Sequence, residues 1–290
     1  MRRAVIAVGT FDGVHRGHQA LLAELRRLAD ERGAEAVVVT FEPPPRFVLR
    51  PDPSYRLLRS LDERIALLTE HGADEVVVRT FDEALAQRSC EQFVGELVDE
   101  LGMVGLVGGP DMALGHRRQG TVPVLREIGA RLGFDVTTLD QLSIDGAPIR
   151  SGTIREALRE GQLDLANRLL GHPASLQGEV VLGDQRGRTL GFPTANLSLP
   201  RERLLPANGV YAVRADRGPG VMNIGTRPTV NGTVQRVEVH LFDFDGDIYG
   251  EQMRVELVER LRDEQRFPSL PALVEQIGLD ARAARRALGA

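Results

Sequence analysis

Ala4-Val5-Ile6-Ala7-Val8 runs directly into Gly9-Thr10-Phe11-Asp12-Gly13-Val14-His15-Arg16-Gly17-His18, and Leu21, Leu22, Leu25 and Leu28 follow. Five apolar residues without alternation suit a strand covered on both faces, and the leucines repeat with the helical period. Between them, Gly9 and Gly13 permit a tight turn. The segment therefore reads as strand, turn and helix, the unit from which parallel α/β sheets are built. Working outward, apolar runs at 36–41, 75–81, 103–108 and 134–139 alternate with helical patterns at 19–32, 61–71, 89–101 and 122–132. Two short helices, at about 153–160 and 163–170, are expected to close the unit. The pattern predicts a doubly wound parallel sheet.

In such a sheet the turn after a strand lies at its carboxyl end, where ligands bind. His15-x-Gly17-His18 falls at a helix start, where free N–H groups and the helix dipole favour anions. Two imidazoles there can hydrogen-bond phosphate oxygens, and Gly17 leaves room for a base or ribose. Two surface histidines beside an ordinary turn would give the same pattern. The strand before, the helix after and the glycine-rich lead-in favour a nucleotide site. Its chemistry would be nucleotidyl transfer, in which a phosphate attacks the α-phosphorus of ATP and pyrophosphate leaves. This reaction needs positioning and charge stabilisation more than a protein nucleophile. No Ser-His-Asp or Cys-His set is evident. Ile149-Arg150-Ser151-Gly152-Thr153-Ile154-Arg155 should complete the pocket. Thr153 and Glu156 have capping-box spacing, so a helix is expected to begin there, with Ser151 and Arg155 near the triphosphate. A plain capped helix with a solvated arginine is the alternative.

With 290 residues, the chain has room for two domains, expected at 1–172 and 173–290. The net charge is −5 with no long basic run, which argues against a general nucleic-acid binder. All 36 basic residues are arginine, so a P-loop lysine, a Schiff-base lysine and a protein-kinase lysine are excluded. A single cysteine, Cys90, rules out an internal disulfide framework and a multi-cysteine zinc site. Its place in a helical pattern suggests a small core or surface residue rather than a nucleophile. No stretch is apolar for long enough to span a bilayer. Met1-Arg2-Arg3 leads into a strand rather than a secretory signal, so the expected location is cytoplasmic.

After Gly171-His172-Pro173 the pattern becomes about six short strands bounded by Gly, Pro, Asn or Asp. It predicts a small antiparallel β-barrel. A terminal helix bearing Leu270, Leu273, Val274 and Ile277 on one face should pack against it. Residues 183–196 hold Gly183, Gly187 and Gly191 and end in Pro193-Thr194-Ala195-Asn196. A glycine-rich loop can fold over phosphates. Thr194 and Asn196 alternate across Ala195, so both face one side of a strand. A hydroxyl and an amide oxygen suit Mg²⁺, which completes its shell with water and phosphate. In Arg236-Val237-Glu238-Val239-His240-Leu241, Glu238 shares the polar face with Arg236 and His240. It could take a proton from a hydroxyl attacking a γ-phosphate, or belong to an ordinary solvent face.

Together these residues resemble the prokaryotic bifunctional riboflavin kinase/FAD synthetase family over nearly the whole chain. Gly9–His18, Thr40-Phe41-Glu42-Pro43 and Ser151 to Arg155 are similar to its FMN adenylyltransferase module. The glycine-rich loop ending in Pro-Thr-Ala-Asn, Asn223-Ile224-Gly225-Thr226-Arg227-Pro228-Thr229, and Glu238-Val239-His240 are similar to its riboflavin kinase module. The resemblance implies phosphorylation of riboflavin to FMN and adenylylation of FMN to FAD, with ATP in both steps and Mg²⁺ as cofactor. It assigns His15 and His18 to the ATP phosphates in adenylyl transfer. Gly9, Phe11, Asp12, Gly17, Ser151 and Arg155 would also contact that nucleotide. Gly183, Gly187, Gly191 and Pro193 would contact the kinase nucleotide, and Thr194 and Asn196 the metal. Asp111, Met112 and Arg227 would line flavin sites, and Glu238 would be the kinase general base. The implied partners are riboflavin, FMN and ATP, with no nucleic acid and no membrane; self-association is open. Three positions depart from the family pattern: Met112 within Asp111-Met112-Ala113-Leu114-Gly115, where aromatics are usual, Gly152, and Pro44. They admit a kinase beside a weakened adenylyltransferase. A flavin-binding regulatory protein without turnover is the alternative of another class.

Overall fold

The computed structural model describes residues 2–183, 187, 191–229 and 232–290, with the side chains at 227–229 and 232–234 outside the description. Two compact units divide between Ser151 and Gly152.

The first unit contains a parallel sheet of β1 (Ala4–Val8), β2 (Glu35–Glu42), β3 (Glu75–Thr80), β4 (Met103–Gly108) and β5 (Asp135–Thr138). Its spatial order is β3-β2-β1-β4-β5. The principal helices are α1 (Arg16–Arg32), α2 (Leu61–Glu70), α3 (Cys90–Leu101) and α4 (Val122–Leu132). Successive side chains of β1 point to opposite faces. Ala4 and Ile6 join one core with Phe93, Leu97 and Leu125. Val5 and Ala7 join the other with Leu22, Leu25 and Leu67. Both faces are therefore dry, which explains the unbroken apolar run in β1. The chain leaves β1 toward β2 and β3, then returns to the other side of β1 for β4 and β5. The loop after β1 consequently lies at the topological switch point. Cys90 is a free, buried thiol.

The second unit is a closed antiparallel barrel of β6 (Ser175–Val181), β7 (Ala195–Ser198), β8 (Gly209–Ala215), β9 (Gly218–Thr229), β10 (Gly232–Leu241) and β11 (Gln252–Arg262), in the order β6-β7-β10-β9-β8-β11. Its terminal helix runs Leu270–Leu288. Strand β8 is buried on both sides. Val210 and Ala212 lie under Ala284 and Leu288 of this helix, while Tyr211 and Val213 are fully buried on the alternate face. Strand β9 is much longer than the apolar run at 221–224 suggested. Gly218, Pro219 and Gly220 read as breakers, yet they pair with β8 from Ala215↔Gly218 onward. Cross-strand pairing overrides local preference there.

Helices α5 (Ser151–Arg159) and α6 (Leu163–Leu170) were expected to close the first unit, with a boundary at 172/173. The division at Ser151/Gly152 places nearly all of both in the second unit. Asn167 there donates to the Leu257 carbonyl at 3.2 Å and accepts the Ala174 N–H at 2.7 Å. Apolar periodicity shows that a helix has a buried face without showing which core receives it. The capping-box reading at Thr153 is also displaced, because the helix has already begun at Ser151.

Candidate active sites

The loop after β1 is locally strained. Phe11, Gly13 and Val14 have φ of 52°, 90° and 40°, and only glycine occupies this region without steric cost. The surroundings hold the loop in several places. The Asp12 carboxylate accepts the Leu58 N–H at 2.9 Å and the Arg59 N–H at 3.1 Å. Arg64, fully buried, donates through Nη1 to the Thr10 carbonyl at 2.8 Å and through Nη2 to Glu42 at 2.7 Å. Ser151 Oγ donates to the Asp12 carbonyl at 2.8 Å. Strain of this kind persists only where neighbours over-determine it, and such places are commonly functional. Asp12 and Ser151, expected at the nucleotide, thus hold the loop that would receive it. Nothing in the sequence singled out Arg64; one arginine in an amphipathic helix looks like any solvated residue.

Two glycines set the clearances. A Cβ at Gly9 would meet the Phe11 ring at 3.2 Å, and one at Gly17 the His15 ring at 3.2 Å. His15 is the N-cap of α1, and its Nδ1 accepts the His18 N–H at 3.4 Å. The His15 and His18 rings stack at 3.7 Å, 15° from parallel, and Phe11 meets His18 edge-on at 5.2 Å. The helix start expected at His15-x-Gly17-His18 is therefore present, with both imidazoles at the first turn of α1.

His15 is buried and His18 half-buried, and His18 Nδ1 is closed to solvent with no hydrogen-bond partner. Burial, reinforced by His15, holds the His18 imidazolium well below the usual histidine range. An unfolded chain would protonate His18 near pH ~6.5, whereas the folded chain resists until well below that. The unfolded state then binds more protons, so this contribution is complete above pH ~6.5 and is lost as pH falls below it. Urea midpoints of the wild type should drop between pH ~7.5 and ~5.5. His18→Gln should show a smaller drop, and an equal drop would assign the acid sensitivity to other groups.

The remaining residues expected in this half are distributed differently. Met112 lies against Gly108, where a Cβ would come within 3.0 Å of its methyl, and it packs on the sheet core. The Asp111 carbonyl accepts Arg118 Nη2 at 2.8 Å. Gly152 has no heavy atom within 4 Å of a would-be Cβ, so its lack of a side chain is not imposed by space. Pro44 precedes the short helix Pro45–Leu49. Arg155 is buried on α5.

The second site is assembled by strand register. Asn196 of β7 and Asn223 of β9 both pair with Glu238 of β10. Directly opposed residues share a face of the sheet, so the three form a row across three strands. Thr194 joins the same face two residues before Asn196. The Glu238 carboxylate has no hydrogen-bond or ion-pair partner among the described residues. All four line a cavity of about 700 Å³, whose other wall includes Phe267, Leu270, Leu273 and Ile277. The terminal helix therefore has two tasks: its second half packs on the barrel and its first half lines the cavity. Arg262 pins it through Nε and Nη2 to buried Asp280, at 2.9 and 2.7 Å. Asn223 and the Arg262–Asp280 pair were not legible as site residues, since only register and helix docking bring them here.

The glycines again define the clearances. A Cβ at Gly183 would lie 2.1 Å from Asn196 Nδ2, and one at Gly187 would lie 3.1 Å from Thr194 Oγ1. Backbone therefore rests directly on both expected metal-binding side chains. Gly191 has φ of 83°, Pro193 is exposed, and its carbonyl is 2.8 Å from His240 Nδ1. No group of three or more His, Cys, Asp or Glu residues that could hold a metal exists among the described residues. Two neutral oxygen ligands in a glycine cradle suit an ion that keeps water and phosphate in its shell. The Arg227 side chain and residues 184–186 and 188–190 lie outside the described residues. Gly183→Ala should displace the Asn196 amide and lower by about 10²-fold the riboflavin phosphorylation that the sequence resemblance implies, with the implied adenylylation of FMN unchanged. An unaltered kinase rate in this variant would remove Asn196 from the site.

Comparison with known proteins accounts for both halves. The family described as FAD synthetase matches residues 1–153, and that described as riboflavin kinase matches residues 170–288. Over 291 residues the chain is 42% identical to the bifunctional riboflavin kinase/FMN adenylyltransferase of Escherichia coli (strain K12), covering 98% of this chain and 93% of that one. The Pseudomonas fluorescens protein of the same name is 43% identical over 290 residues, covering 98% and 93%. The Bacillus subtilis protein is 36% identical over 293 residues, covering 98% and 92%. A solved structure described as a macrolide-efflux protein from Streptococcus pneumoniae is 31% identical, with a TM-score of 0.89 and coverage of 98% and 94%. In the present chain no helix among the described residues is long and apolar enough to cross a membrane. With both family matches in series, and full-length identity to proteins that carry both names, the chain belongs to the bifunctional riboflavin kinase/FMN adenylyltransferase family.

Proposed function

We propose that the barrel phosphorylates riboflavin and that the α1 site adenylylates the product, with the residues above in defined roles. In the barrel, the riboflavin 5′-hydroxyl oxygen attacks the γ-phosphorus of ATP, its proton passes to Glu238, and ADP leaves. Asn196 and Asn223 flank Glu238 and orient the reacting groups. Phe267, Leu270, Leu273 and Ile277 offer an apolar wall for the flavin ring. Thr194 and Asn196 would hold Mg²⁺, which when bound supplies positive charge to the phosphates. Gly183, Gly187 and Gly191 let the loop backbone approach those phosphates.

At the α1 site, a phosphate oxygen of FMN attacks the α-phosphorus of ATP and pyrophosphate leaves. His15, His18 and the first N–H groups of α1 face the charge that develops. Gly9 and Gly17 keep the approach open. Asp12 and Ser151 hold the loop. Asp111, Met112 and Arg227 are assigned to the flavins. We place both steps in the cytoplasm, where the lone thiol of Cys90 stays reduced.

One observation carries this reading: the Glu238 carboxylate, without a partner among the described residues, stands between two asparagines on the wall of a cavity of about 700 Å³. Incubation with riboflavin, ATP and Mg²⁺, followed by separation of the flavins, tests it. FMN and then FAD should accumulate. FMN alone would leave only the kinase, and unchanged riboflavin would end the proposal.

A further inference from the structure

We propose that His240 is a positioning residue of the kinase site, donating its Nδ1–H to the Pro193 carbonyl and so orienting the peptide that carries Thr194. The inference rests on the kinase reading above and extends it to a residue outside the reacting groups.

Register shows why the site needs this bond. The β7–β10 ladder pairs Ala195 with Val239 and Asn196 with Glu238. Thr194 and Pro193 lie just beyond the paired residues. Proline has no N–H to offer a ladder, so the backbone entering the metal-binding segment lacks a strand partner at that point. The imidazole of His240 supplies one, with Nδ1 2.8 Å from the Pro193 oxygen. A carbonyl oxygen only accepts, so Nδ1 carries the hydrogen in this bond.

The ring is held in place to make that bond. It meets Phe192 at 5.4 Å and 80°, and Phe242 at 5.9 Å and 74°. Arg285 lies 4.4 Å over the Phe242 ring and pairs with Asp243 at 2.8 Å. On the other side of Pro193, the Phe192 N–H donates to the Gly187 carbonyl at 2.9 Å. The segment leading to Thr194 is thus clamped from two sides. His240 also sits two residues from Glu238 on the same strand face. One strand therefore carries both the proposed base and the group that orients a proposed metal ligand, which fixes their mutual geometry.

Two substitutions separate this bond from packing. His240→Phe retains an aromatic ring between Phe192 and Phe242 but loses the donor. His240→Asn shortens the side chain but places an amide N–H near the position of Nδ1. In the full chain with ADP and riboflavin, Mn²⁺ binding can be followed without turnover from the resonance of the free ion. His240→Phe should weaken Mn²⁺ binding by about 10-fold or more, as loss of an outer-shell partner does. His240→Asn should restore most of it. The apparent KM for ATP in FMN formation should rise in parallel, while FAD formation from FMN is unchanged. Nitrogen NMR of the wild type should show a His240 ring protonated at Nδ1; this readout does not depend on a variant folding. A ring protonated only at Nε2, wild-type Mn²⁺ binding by His240→Phe, or no restoration by a folded His240→Asn would each overturn the proposal. Failure of the wild type to make FMN would instead overturn the kinase reading beneath it.

Discussion

Glu238→Gln should reduce FMN formation by about 10²–10⁴-fold, the usual contribution of a general base, while FAD formation from supplied FMN continues at the wild-type rate. The substitution preserves size and keeps a polar group between Asn196 and Asn223. It removes only the ability to take a proton. Glu238 has no ion-pair or hydrogen-bond partner among the described residues, so its replacement leaves no orphaned cation. The thermal midpoint should therefore stay near that of the wild type, and ADP binding in the presence of Mg²⁺ should be retained. The expected signature is a fall in kcat with little change in KM. A rise in KM at constant kcat would recast Glu238 as a binding group, and parallel loss of FAD formation would mean that the two sites are not separate.

His18→Ala should have the opposite selectivity. FAD formation from FMN should fall by about 10²-fold or more, on the scale set by removing one donor to a developing charge. Riboflavin phosphorylation should be unaffected. The helix start should survive, because the His15 cap bonds the backbone N–H of residue 18, which alanine retains. Stability should change little. The lost ring contacts with His15 and Phe11 are offset by removal of an unpartnered buried nitrogen, a group that costs about 1–3 kcal/mol when left unsatisfied. Loss of activity without loss of stability would mark the imidazole as kept for its chemistry. A folded His18→Ala protein that made FAD at the wild-type rate would remove the imidazole from the proposed machinery.

Much of this molecule could be read from local pattern. Strand β1, helix α1 and the glycine turn between them depend on neighbouring residues, and apolar periodicity records such relations directly. The same holds for Thr194 and Asn196, whose common face follows from strand alternation, and for the order of an α/β unit before a barrel. Residues that act through distant partners left no such record. Asp12 resembles a ligand-facing carboxylate until the backbone at 58–59 is seen to occupy it. Arg64 resembles a solvated helix residue until its burial under Thr10 is known. Asn223 reaches Glu238 only through the pairing of β9 with β10.

From composition, periodicity and spacing alone followed the two architectures, their order and a candidate nucleotide site at the first helix start, because these depend on residues close together along the chain, whereas the role of Glu238 followed only from the family resemblance. Folding in three dimensions settled which side chains hold a loop and which stand free to react. It also settled which core receives helices α5 and α6 and how the terminal helix splits its length between packing and cavity wall. Those outcomes depend on register and burial, which arise from contacts between residues far apart in sequence.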